Sequence, residues 1–195
     1  MYYKLLQKEP LYRGFFKLDA YSVDHECYEG GNQIIAREHL ERGDAAAVLL
    51  YDRTSDEVLL IEQFRIGPAV RGDEAWLVEI VAGMIDPGEA PDEAARREAV
   101  EEAGFEPFEL HHMGRYYSTP GGSSERIDLY LGLVDRNRPV GDGGGMKHEH
   151  EDIRPFWVSR EQAMAWLMNG RINSGAPMLA LLLAFGTQGK ISELS

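Results

Sequence analysis

The chain of 195 residues is 44% hydrophobic, enough to bury a core and short enough for one domain with a modest appendage. It sets 33 Asp and Glu against 20 Lys and Arg, and the resulting charge of −13 disfavours nucleic-acid backbones and anionic membranes, with no basic block to override it locally. The longest apolar runs, residues 45–51 and 178–185, fall short of the roughly 18 to 20 residues of a membrane span, the N-terminus lacks the pattern of a signal peptide, and the lone Cys27 fits a reducing, cytoplasmic setting.

Residues 15–26 and 33–41 predict extended segments around the turn cluster Tyr28-Glu-Gly-Gly-Asn32, so the chain opens with a β-rich arm, residues 1–43. From Asp44 the character changes, and residues 44–195 read as the main domain. Residues 45–51 and 57–64 predict buried strands joined by the polar turn 52–56, and 76–82 predicts a third. Further strands are expected at 109–117, 126–134 and 153–158. The loop 135–150 contains Gly141-Asp-Gly-Gly-Gly145 and no apolar periodicity, which predicts a mobile segment, either functional or a linker. Ser159 and Gln162 make a capping-box pattern opening a helix that Gly170 ends, with Met164, Trp166 and Leu167 spaced as its buried face. An apolar helix follows over residues 177–185. Strands and helices mix without regular βαβ alternation and without a repeat, which predicts the α+β class.

The stretch from Gly83 to Phe105 carries the chemistry. Pro91 at the first helical position, Asp92 and Glu93 in the first turn and Gly104 past the end predict a helix of about thirteen residues. Glu98, Glu101 and Glu102 stand at i, i+3 and i+4 and share a face, while Ala94, Ala95 and Ala99 leave a slim side for close packing. A solvated acidic face is the ordinary explanation of such a cluster. Two details weigh against it: Gly83 and Gly88 bracket a tight turn before the helix, and Arg97 is placed to pair with Glu89 and hold that turn. Carboxylates gathered this way suit Mg²⁺ or Mn²⁺, hard cations that retain waters and bind substrate phosphates.

Gly83, five residues, Glu89, seven residues, then Arg97-Glu98-Ala99-Val100-Glu101-Glu102-Ala103-Gly104-Phe105 resembles the Nudix hydrolase signature, G-x5-E-x7-R-E-U-x-E-E-x-G-U. Ala99 stands where the signature has a larger aliphatic residue, a packing variation outside the metal chemistry. Pro120, sixteen residues beyond Gly104, resembles the marker of the ADP-ribose pyrophosphatase branch. The likeness extends along nearly the whole chain through LYRGFFKLD, REHLERGDAAAVLL, VLLIEQFR, WLVEIVAGMI and HEDIRPFWVSREQA.

The resemblance implies an α/β/α sandwich around a mixed β-sheet, preceded by the antiparallel β arm, and Mg²⁺-dependent hydrolysis of ADP-ribose to AMP and ribose 5-phosphate. It implies metal contacts from the Ala82 carbonyl, Glu98, Glu101 and Glu102, with Glu151 as a further ligand, and Glu149 as general base. Arg37 and Arg65 match positions that grip the phosphates or terminal ribose, Phe15 one that stacks on adenine, and Glu125 and Thr119 positions in the substrate site. It also implies a homodimer with exchanged N-terminal arms. Physical reasoning favours the same chemistry: splitting a diphosphate needs charge neutralisation, an activated water and a proton acceptor, and a carboxylate on a Gly-rich loop suits the last task.

Two other functions stay open. The same metal site serves any nucleotide sugar, so GDP-mannose is an alternative substrate; a non-catalytic Nudix-fold binding module is another, although such modules usually lose the carboxylates kept here. His148-Glu-His-Glu151 lacks the H-E-x-x-H zincin spacing and has no Cys nearby. His25, His39, His111 and His112 are scattered as packing or surface residues, Cys27 reads as an inert thiol, and neither a P-loop nor a complete G-x-G-x-x-G occurs.

Overall fold

The computed structural model describes residues 1–186, which divide into two compact units. The first comprises Met1–Asp44 with Tyr117–Arg126. Its strands β1 (Tyr3–Arg13), β2 (Lys17–Glu26) and β3 (Asn32–Glu41) form an antiparallel sheet in the order β1-β2-β3. The β2–β3 register runs unbroken from Lys17↔Glu41 to Glu26↔Asn32. The turn closing it has the Cys27 N–H donating to Gly31 O at 2.9 Å, with Gly30 and Gly31 both at positive φ. β1 lies outside the sequence expectation. Every one of its residues is exposed, so it shows no apolar alternation, and it carries Pro10, which an edge strand tolerates. The buried Asp19 of β2 holds it through ion pairs to Arg13 and Lys8.

The segment Tyr117–Arg126 docks on the far side of β3. The Leu40 N–H donates to Gly122 O at 2.8 Å, Leu40 and Ser123 form a parallel bridge, and Arg126 Nη2 donates to Asp44 at 2.6 Å.

The second unit is built on β4 (Ala45–Asp52), all eight residues of which are buried. The apolar run of its first seven residues marks a strand covered on both faces. Around it lie β5 (Glu57–Phe64), α1 (Ile66–Arg71), β6 (Trp76–Glu79), β7 (Val81–Met84), α2 (Pro91–Ala103), β8 (Glu109–Tyr117) and β9 (Arg126–Leu133). A single 3-10 turn at Lys147–Glu149, β10 (Ile153–Ser159), α3 (Arg160–Asn169) and α4 (Gly175–Phe185) complete it. The sheet runs β10-β5-β4-β9-β8, with β6 pairing β5 and β7 pairing β4. It is mixed: β4 pairs β9 in parallel and β5 and β7 antiparallel.

Alternation along β4 sorts the core into two layers. Ala46, Val48 and Leu50 face α2 and meet Ala94, Ala95, Ala99 and Ala103, whose small side chains bring the helix close to the sheet. Ala47, Leu49 and Tyr51 point the other way, toward Leu131, Ala163, Leu167, Ala180 and Leu181 under α3 and α4. The outcome is an α/β/α sandwich in the α+β class.

Three local details differ from expectation. Residues 76–82, read as one strand, are two, because the chain leaves β5 at Glu79 and joins β4 at Val81 with the buried Ile80 at the crossing. The short helix α1 was not foreseen, and α4 starts at Gly175, ahead of position 177. α3 opens as read, the Ser159 hydroxyl oxygen accepting from the Gln162 N–H at 3.1 Å. Among the described residues no helix is long and apolar enough to cross a membrane.

Candidate active site

α2 begins after a tight turn that Gly88 makes at φ +91°. The Glu89 carboxylate accepts from the Asp86 N–H at 2.9 Å within the turn, and Glu93 accepts from the N–H of Ala90, the N-cap, at 3.1 Å. Pro91 supplies the first helical residue and Gly104, at φ +76°, the last turn.

Arg97 organises the acids. Its Nε and Nη2 donate to the two oxygens of Glu89 at 2.9 and 3.1 Å, a bidentate pair that binds turn to helix. Nη1 donates to Glu98 at 2.7 Å and to Glu101 at 3.0 Å, and Nη2 also reaches the Met84 carbonyl at 3.1 Å. The guanidinium is thereby held more firmly protonated than usual, chiefly by Glu89, and that contact in turn holds the Glu89 carboxyl below its ordinary value.

Glu98 and Glu102 are buried beneath this network, 9% and 2% exposed. Glu102 accepts from the Ala82 N–H at 3.0 Å, which fixes it against β7. Burial pushes its carboxyl up to about 8, and the neighbouring Glu98 and Glu151 add to the effect while Arg65 opposes it. Burial raises Glu98 as well, against the pull of Arg97. Gly83 is what gives Glu98 its place: a Cβ there would lie 1.8 Å from Glu98 Oε1.

Among the described residues, no three His, Cys, Asp or Glu side chains converge on a ready-made ion site. The carboxylates are turned onto Arg97 and the Ala82 N–H instead. The residues nonetheless fit a hard divalent cation. The donors are carboxylate oxygens, and burial raises the carboxyls of Glu98 and Glu102, an electrostatic deficit that a cation would relieve.

Arg65, at the start of α1, donates through Nε to Glu79 at 2.7 Å, a partner not singled out in the sequence. Glu151 accepts from the Met146 N–H at 2.9 Å, and Glu149 ends the 3-10 turn. Part of the loop expected to be mobile is hydrogen-bonded to the end of α2: the N–H groups of Gly144 and Gly145 donate to Glu102 O and Glu101 O at 2.8 and 3.0 Å, and that of Val140 to Gly104 O at 2.8 Å. Ala82, Glu98, Glu101, Glu102, Glu151 and Arg65 are thus all in the second unit.

Phe15, Arg37, Thr119 and Glu125 belong to the first unit. Phe15 is 82% exposed and meets Phe16 edge-on, its ring centroid 5.0 Å away. Arg37 is exposed and donates to Ala36 O at 2.8 Å. Glu125 is buried, accepts from the Ser118 hydroxyl at 2.5 Å, and lies 3.1 Å from Arg42 Nε. The sequence does not single out Arg42, because only the fold brings the end of β3 beside residues 117–126. The Thr119 carbonyl accepts from the Gly122 and Ser123 N–H groups at 3.1 and 3.0 Å, closing the turn around Pro120.

Residues 41–181 match the model of the NUDIX domain. The chain belongs to the Nudix hydrolase family. Over 179 residues it is 43% identical to an ADP-ribose pyrophosphatase of Escherichia coli strain K12, a match covering 91% of this chain and 85% of that one. It is 34% identical over 178 residues to a GDP-mannose pyrophosphatase of Pectobacterium atrosepticum, covering 91% of each. A crystal structure of an ADP compounds hydrolase shares the fold, with a TM-score of 0.69 at 24% identity over 93% of this chain and 91% of the other. Nudix ADP-ribose pyrophosphatases generally use a divalent metal ion.

Proposed function

We propose that this Nudix hydrolase splits the diphosphate link of ADP-ribose to give AMP and ribose 5-phosphate, with Mg²⁺ as its metal and Mn²⁺ as a substitute. The observation that carries the reading is the pair of buried acids Glu98 and Glu102, set against the missing Cβ of Gly83 and the Ala82 N–H. The Ala82 carbonyl and the carboxylates of Glu98, Glu101, Glu102 and Glu151 would hold the metal. When bound, the ion supplies charge neutralisation for the diphosphate and lowers the pKa of bound water.

The protein's own groups do the remaining work. Arg97 anchors the carboxylates of Glu98 and Glu101, and the Ala82 N–H anchors that of Glu102. Glu149 takes a proton from the attacking water, whose oxygen bonds to phosphorus as the bridging P–O bond breaks, the bridging oxygen leaving with the other phosphate. Such a base typically contributes about 10²- to 10⁴-fold. Arg65 and Arg37 grip the phosphates or terminal ribose, Phe15 stacks on adenine, and Glu125 and Thr119 line the substrate site.

A homodimer with exchanged N-terminal arms belongs to the same reading. Supporting it are the exposed apolar residues Tyr3, Leu5, Leu11 and Tyr12 of β1, apolar surface that a second copy would cover. Sedimentation equilibrium should return the mass of two chains. The charge of −13 supports a protein that binds neither nucleic acid nor anionic membrane, and the lone Cys27 supports a cytoplasmic one. Hydrolysis of GDP-mannose is the second reading, favoured by the Pectobacterium relative.

Steady-state assays on purified protein with ADP-ribose and with GDP-mannose, each with and without Mg²⁺, decide between them. AMP and ribose 5-phosphate should appear only with the metal; a larger kcat/KM for GDP-mannose would overturn the first reading. Glu149→Gln should lower kcat by about 10²- to 10⁴-fold with metal affinity intact. Full rate in that variant would remove Glu149 as the base.

A further inference from the structure

Three successive residues of the loop before β10 have backbone that side-chain-bearing residues seldom adopt: Gly143, Gly144 and Gly145, with φ of +65°, +99° and +80°. This conformation brings them onto the end of α2. The Gly144 N–H donates to Glu102 O at 2.8 Å and the Gly145 N–H to Glu101 O at 3.0 Å. The approach leaves no room for side chains at two of the three positions. A Cβ on Gly143 would lie 2.7 Å from the Ala103 carbonyl carbon and 2.8 Å from Glu102 O, and one on Gly145 would lie 2.7 Å from Glu151 Cβ.

α2 does not need this loop in order to end. The Gly104 N–H already donates to Val100 O at 3.0 Å and the Phe105 N–H to Ala99 O at 3.2 Å, and water is able to satisfy the last carbonyls of an ordinary helix. The contact instead anchors residues 146–151. The Gly144 carbonyl accepts from the Ile153 N–H at 3.2 Å, the Met146 N–H donates to the Glu151 carboxylate at 2.9 Å, and the Glu151 N–H to Met146 O at 3.4 Å. That segment is therefore closed at its base, and the 3-10 turn Lys147–Glu149 forms its tip.

We infer that residues 143–145 are positioning residues, which register the segment bearing Glu149 and Glu151 against the backbone of Glu101 and Glu102. One hydrogen-bonded path then sets the spacing between the base and the acids of α2, where two separately anchored elements would leave it loose. The inference rests on the roles proposed above for those four glutamates.

Gly144→Ala tests it, because a Cβ there meets nothing nearer than Ile153 O at 3.6 Å, so only the φ of +99° is at stake. Gly141→Ala is the control: its φ is not positive, and its Cβ would meet nothing nearer than 4.0 Å. Gly144→Ala should lower kcat for ADP-ribose at saturating Mg²⁺ by about 10²-fold, the order expected of a misplacement near 1 Å, with KM little changed. Gly141→Ala should keep the wild-type kcat. Amide hydrogen exchange followed by NMR on the metal-free protein should show Gly144 and Gly145 protected in the wild type and unprotected in Gly144→Ala.

Unprotected amides in the wild type would overturn the inference whatever the kinetics. So would wild-type kcat in Gly144→Ala, or an equal loss in Gly141→Ala. A wild type inert toward both ADP-ribose and GDP-mannose would overturn the function instead; the exchange measurement alone would then support or refute the register.

Discussion

Arg97 takes part in five hydrogen bonds that join the turn before α2, the helix itself and the end of β7. Lysine keeps the charge but not the planar fork, so Arg97→Lys cannot hold Glu89 in two places while also reaching Glu98 and Glu101. We expect that substitution to cost about 1–3 kcal/mol of stability, read from the urea midpoint, and to lower kcat as Glu98 loses its orientation. Gly83 separates the two effects. Gly83→Ala places a methyl group where the Glu98 carboxylate lies, and the flexible end of that side chain is free to move aside. Stability should change by less than about 1 kcal/mol while metal affinity falls, measured by Mn²⁺ titration. A Gly83→Ala variant with wild-type metal affinity would mean that Glu98 is not a ligand.

At the scale of elements, legibility followed the kind of signal each one carries. α2 was readable to the residue because Pro91 and Gly104 mark its ends chemically and its alanines mark its packing side. β1 was not, since an exposed edge strand has no buried face to impose a pattern. The run 76–82 showed apolar residues but could not show that they change partner at Ile80, because strand pairing is a long-range property. The acids of α2 were legible as a cluster, whereas their burial and the Arg97 bridges needed the fold. In loop 135–150 glycine composition signals conformational freedom, and the structure shows that freedom used for a left-handed path at Gly143, Gly144 and Gly145. The hairpin between β4 and β5 offers a test at this scale. Asp56, at φ +55°, accepts from Arg160 of α3 and from the Tyr51 hydroxyl, and Arg160 in particular holds its carboxyl below the usual value. Between the folded and unfolded values the native state binds fewer protons than the unfolded chain, so stability rises with pH there. The contribution is complete above the ordinary Asp range and lost as pH falls through the lowered one. Asparagine tolerates that φ, so Asp56→Asn should destabilise at pH 7 and match the wild type progressively as the pH falls below the ordinary Asp range, by urea unfolding. A gap of constant size across that range would mean that the charge on Asp56 is not what ties hairpin to helix.

Across the whole molecule, the two layers of core divide the labour. Acids, turn and Gly-rich loop gather around α2, whereas Leu49, Leu131 and Leu181 pack under α3 and α4 on the other face of the sheet. Leu131→Ala should therefore cost about 2–5 kcal/mol in urea unfolding yet retain near wild-type kcat at 25 °C, where the fold still predominates. A collapse of kcat in a sample still folded at that temperature would show that the sheet transmits packing defects to the acids. The first unit is held together by a different arrangement, being discontinuous in sequence. Its three strands come from residues 1–44, but the strip against β3, with the salt bridges Arg42–Glu125 and Arg126–Asp44, comes from residues 117–126. Anyone building chimeras with a relative inherits this constraint: transplanting the first 43 residues alone would strand Arg42 opposite a foreign strip, so both pieces have to be exchanged as a matched set.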